Sequence, residues 1–128
     1  MKLIAALLLL AATPVQAEGL VVHVGETWLF RIKDGEPAGA RKVAASTTVP
    51  GGQVKVAVRA LLGTAMTITN KSPIAYTFKA ELVSGGKATV ARSCTLPAGA
   101  RPAFEQWEPK ADAVRISDFK IADADGHC

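Results

Sequence analysis

The chain has 128 residues, a net charge of +4 from 15 Lys and Arg against 11 Asp and Glu, and a 49% apolar share. That length fits one domain around one core. Its basic residues are scattered, with no run of three, whereas nucleic-acid binders gather charge on one stripe or helix. No nucleic-acid partner is expected, and the charge reads as a solvated surface.

Residues 1–17 carry the marks of a secretory signal peptide. Lys2 is the positive start, Leu3 to Ala12 an apolar run, and Val15 and Ala17 the small residues before a cleavage site. The run falls short of the roughly 20 residues that a membrane-spanning helix needs. The mature chain is therefore expected to start at Glu18 and to hold 128 − 17 = 111 residues, in the periplasm or outside the cell. Without Lys2 its charge is 14 − 11 = +3. No cysteine follows the apolar run for acylation, and no second stretch approaches spanning length. An integral membrane protein is not expected.

Leu20 to Val24 is a short β-branched run broken by Gly25-Glu26. Thr27 to Lys33 alternates, with Trp28, Phe30 and Ile32 on the core side and Thr27, Leu29, Arg31 and Lys33 on the other. Asp34 to Gly39 is dense in turn residues. Arg41 to Val49 reads as the next strand, and Pro50-Gly51-Gly52 as another turn. In Gln53 to Leu62, Val54, Val56, Val58, Ala60 and Leu62 are expected to point inward. Thr64 to Thr69 follows, and then the turn cluster Asn70 to Pro73.

Tyr76, Phe78, Ala80 and Leu82 share one face of the next run. Ser84-Gly85-Gly86 turns it back into a run starting at Lys87, so a hairpin is expected over Tyr76 to Leu96, with a bulge near Arg92. Thr64 to Thr69 is expected to face that hairpin from the other sheet. Pro97 to Pro102 reads as a loop. Phe104 and Trp107 stand three apart, which suits a helical turn or corner better than one face of a strand. In Ala113 to Ile121 the apolar parity changes at Ser117-Asp118, which predicts a bulge or a change of sheet.

No window shows convincing helical periodicity. About eight or nine short strands separated by turns define an all-β fold: an antiparallel, immunoglobulin-like β-sandwich, with a small β-barrel as the alternative. It is a single domain over residues 18–128.

Chemistry is sparse. The two histidines, His23 and His127, have no acid or nucleophile placed beside them by pattern, and the Gly-x-Ser-x-Gly elbow is absent. Asn70-Lys71-Ser72 is formally a glycosylation sequon and works equally as a turn. Cys94 and Cys128, in an exported chain, are read as a disulfide. Asp123, Asp125 and His127 form a weak alternative metal site, because Asp-x-Asp-Gly opens a calcium loop that the chain does not complete. No cofactor is expected and no fingerprint of a known family appears. The reading is a non-catalytic binding or structural module. Its possible interaction loop is Phe104, Glu105, Trp107 and Glu108, facing a protein or envelope component. A metal-handling protein and a small periplasmic enzyme are the alternatives.

Overall fold

A computed structural model describes residues 19–122. The signal segment 1–17, Glu18, and the tail with Asp123, Asp125, His127 and Cys128 lie outside the described residues. Nine strands are present among those described: β1 (Leu20–His23), β2 (Thr27–Lys33), β3 (Glu36–Val43), β4 (Val54–Ala60), β5 (Thr64–Asn70), β6 (Tyr76–Ser84), β7 (Lys87–Ala91), β8 (Pro102–Trp107) and β9 (Ala113–Ile121). They form two sheets, β1-β9-β6-β7 and β3-β2-β4-β5-β8, with every pairing antiparallel. The sheets pack face to face, so the fold is the expected β-sandwich.

Alternation decides which side chains meet between the sheets. Val54, Val56 and Val58 of β4 and Met66 and Ile68 of β5 line one inner face. Phe78, Ala80 and Leu82 of β6 and Val114 and Ile116 of β9 line the other. Burying each large apolar side chain contributes about 1.5–3 kcal/mol, and this layer carries the fold. β5 and the β6–β7 hairpin lie in opposite sheets, as expected.

The bulge in β9 falls where the parity changes. Phe78 alone stands between Thr77 and Lys79, opposite Asp118 and Phe119, and Asp118 takes a left-handed φ of 55°. That extra residue turns Phe119 inward. Its ring stacks on Phe78 at 5.4 Å and meets Tyr76 edge-on at 6.1 Å. The β6–β7 hairpin also closes as read, through Gly85 and Gly86, both with positive φ. Ala91 and Leu96 are five positions apart where their partners Ala80 and Tyr76 are four apart, which is the bulge expected near Arg92.

Three expectations need correction. The third strand is Glu36–Val43, not Arg41 to Val49. Asp34 and Gly35, both left-handed, close a two-residue turn, so pairing with β2 starts at once. Pro37 is tolerated because β3 is an edge strand. Residues 44–53 form a connection drawn across the outer face, where Lys55 Nζ donates to the carbonyls of Ala45 and Thr47. Leu29, placed by parity on the solvent side, is fully buried on that face.

Leu62 is the second correction. β4 stops at Ala60, and Leu62 sits in the turn at φ 46°, 83% exposed. A Cβ on the neighbouring Gly63 would collide with the Trp107 and Glu108 carbonyls. Only glycine allows that approach, and its place in the chain sets Leu62 outside.

Third, Phe104 to Trp107 is neither a helical turn nor a corner but most of strand β8, paired with β5 from Thr64↔Trp107 to Thr69↔Pro102. Its inward residues are Ala103, Glu105 and Trp107. A carboxylate at the middle of the inward row hides the alternation from a hydrophobicity reading.

Candidate functional site

β8 is the edge of its sheet, and its two faces have opposite characters. Inward, Ala103 and Trp107 pack against the core, and Glu105 lies between them opposite Met66. The Trp107 indole N–H donates to the Arg92 carbonyl at 2.8 Å. The Cys94 N–H donates to Glu105 Oε2 at 2.6 Å. These two bonds clip the segment after β7 onto β8. Burial pushes the Glu105 carboxyl above its ordinary value, against the opposing effects of the Cys94 N–H and the nearby Arg92 charge.

Outward, Phe104 is 51% exposed. Gln106, two residues along on the same face, donates its side-chain amide to the Leu61 carbonyl at 3.0 Å and the Leu62 carbonyl at 3.4 Å. Strand repeat places Phe104 and Gln106 about 7 Å apart. The Leu61-Leu62 turn is therefore fastened to Gln106, one strand repeat along from Phe104, and both leucines are exposed. Arg59, opposite Ala65 in the same outward row, and Glu108 beyond the end of β8 are charged and exposed around it.

Thus the four residues Phe104, Glu105, Trp107 and Glu108 are neighbours in sequence but split in space. Phe104 and Glu108 face solvent, whereas Glu105 and Trp107 are structural. Leu61, Leu62 and Gln106 complete the outer surface and escaped the sequence reading. Leu62 was hidden by its parity with Val58 and Ala60. A Leu-Leu-Gly turn between two strands, with no polar turn former, is the signal that could have exposed it.

Other candidates resolve differently. His23 is exposed, with Nδ1 3.5 Å from Glu26 Oε1. Glu26 also accepts from the Trp28 indole N–H and the His23 backbone N–H, both at 3.0 Å, and pairs with Lys42 at 3.2 Å. The Trp28 bond and then the His23 N–H hold its carboxyl down at about 2, with Lys42 assisting against burial. Asn70, the sequon asparagine, is fully buried. Its Nδ2 donates to the carbonyls of Ile74 at 2.7 Å and Pro97 at 3.3 Å, so it organises the 71–75 turn and the loop before β8. Among the described residues, no group of three or more His, Cys, Asp or Glu is placed to hold a metal ion. The alternative metal residues of the tail lie outside the described residues. Among the described residues, no helix is long and apolar enough to cross a membrane. Comparison with family models, curated proteins and solved structures finds no match to the chain.

Proposed function

We propose that the chain is a small exported, non-catalytic binding or structural module that meets a protein or envelope component through the outer face of β8. The observation that carries this reading is Phe104, half exposed in the edge strand β8, with the exposed Leu61-Leu62 turn fastened to the same strand by Gln106. An exposed aromatic and an exposed apolar turn on one strand, with charged residues around them, are the composition of a contact surface. A photo-reactive phenylalanine at position 104 tests it. Irradiation in the native compartment should give one discrete adduct, whereas the same probe at Arg41 on the β3 edge should give none. Equal, diffuse labelling at both positions would remove the reading.

Export and a Cys94–Cys128 bridge belong to the same proposal. The sequence holds two cysteines, Cys94 and Cys128. Reach supports the pairing. Tyr76 pairs with Ile121 on one side and bridges to Leu96 on the other, so Ile121 and Leu96 stand about 10 Å apart. The seven residues from 122 to 128 extend to roughly 23 Å. In the chain-entropy picture such a loop closure contributes about 4 kcal/mol. The intact exported protein should start at Glu18 and weigh two hydrogens less than the dithiol. A dithiol mass, or an uncleaved N-terminus, would contradict it.

A further inference from the structure

A sandwich of two open sheets has four edges, and three of them are protected against pairing. β3 carries Pro37, Arg41 and Lys42, β1 is four residues long, and β8 starts at Pro102 and is clipped by the segment carrying Arg92 and Cys94. Proline, charge, brevity and cover are the known means of blunting an edge. β7, one residue longer than β1, has no proline, internal charge or cover among the described residues along Ala88-Thr89-Val90-Ala91. Its one charge, Lys87, stands at its end, and Val90 is 67% exposed.

The direction of its backbone groups follows from the turn. The two-residue turn Gly85-Gly86 makes Ser84 and Lys87 a closely hydrogen-bonded pair. Pairs then alternate, so Leu82/Thr89 is bonded and Val83/Ala88 and Glu81/Val90 are not. The N–H and C=O of Ala88 and Val90 therefore point away from β6. Among the described residues no backbone hydrogen bond reaches them.

We propose that the β7 edge pairs antiparallel with β7 of a second copy of this chain, about a two-fold axis at Thr89. In that register Ala88 faces the partner's Val90 and Val90 faces the partner's Ala88. Each pair exchanges two hydrogen bonds, four in all. Thr89 meets the partner's Thr89 at the non-bonded position, where Cα atoms stand about 4.5 Å apart and threonine pairs are favourable. Lys87 faces Ala91, and the two lysines are separated by about 14 Å along the ladder, beyond the screening length near physiological salt. The edge is thus complementary to itself in hydrogen bonding with its lysines held apart, and the product is a continuous eight-stranded sheet with a closed, isologous contact. Two five-residue strands bury less than the roughly 1,200 Å² of a stable interface, so the dimer is a weak one, forming in the range of about 10 µM to 1 mM. It involves a different edge from the β8 surface and stands independently of it.

Sedimentation equilibrium of the exported chain should show the average mass rising from one chain toward two across that range. Val90→Pro removes a donor that faces outward only, and should weaken association at least tenfold. Thr89→Cys places two thiols across the axis within disulfide reach. It should oxidise to a covalent dimer, whereas Ala91→Cys, which faces Lys87, should not. A single-chain mass throughout, or a covalent dimer that forms equally from both cysteine variants, would overturn the proposal.

Discussion

The Cys94 N–H and the Glu105 carboxylate meet at 2.6 Å across the gap between the segment after β7 and strand β8. An acidic side chain on the inward row of an edge strand is costly to bury, and this bond is what it gives in return. Because burial raises the Glu105 carboxyl, the folded chain releases this proton at a higher pH than the unfolded chain does. Stability from this group is therefore greatest at low pH and falls as pH rises through the raised value. Glu105→Gln keeps an oxygen for the Cys94 N–H without the charge. It should be more stable than the parent by about 1 kcal/mol at pH 7, with the gain shrinking on acidification. Urea unfolding at pH 7 and near pH 4 measures this.

Glu26 has the opposite sign. Its carboxyl is held at about 2, so its contribution is present above the ordinary value of 4.5 and is lost as pH falls between about 4.5 and 2. Glu26→Gln should cost about 1–2 kcal/mol at pH 7, after allowance for solvent screening, and nothing near pH 2. Thermal unfolding of both forms across that window checks the sign.

Thr64 joins the sheet to the segment after β8. Its hydroxyl donates to the Pro109 carbonyl and accepts from the Ala111 N–H, both at 2.8 Å. Thr64→Val preserves shape but leaves both backbone groups without partners, and should cost about 2 kcal/mol. Thr64→Ser should cost less than half as much. Parallel denaturant titrations separate the hydroxyl from the methyl group.

Asn70 is expected to carry no glycan, since its amide is buried against Ile74 and Pro97. The intact mass should show no carbohydrate. Asn70→Ala should destabilise by about 2 kcal/mol, because the Pro97 carbonyl loses its partner and the Ile74 carbonyl keeps only the Ser72 hydroxyl.

Much of the fold was legible because turn chemistry and parity agreed. Gly85-Gly86 specified the β6–β7 hairpin, and the parity change at Ser117-Asp118 announced the bulge that turns Phe119 inward. What escaped was set by tertiary contacts. Leu29 is buried because Lys55 holds residues 45–47 across the outer face, a relationship that spans eight to ten residues and has no local signature. Leu62 continues the inward parity of β4, yet the close approach of Gly63 to the Trp107 carbonyl ends that strand earlier. Glu105 broke the apolar pattern of β8 because its compensation, the Cys94 N–H, comes from another segment. The candidate surface was half visible for the same reason. Phe104 is legible as a contact residue, whereas Leu61 and Leu62 join its strand only through the Gln106 amide at the β4–β5 turn.

The central claim is that Phe104 serves contact rather than core. Phe104→Ser, with a photo-reactive residue placed at Leu62, tests both halves in one protein. The melting temperature should stay within about 2 °C of the parent, as for an exposed position, while the adduct formed from position 62 disappears. A drop of 8 °C or more, with the adduct retained, would make Phe104 a structural residue and contradict the account.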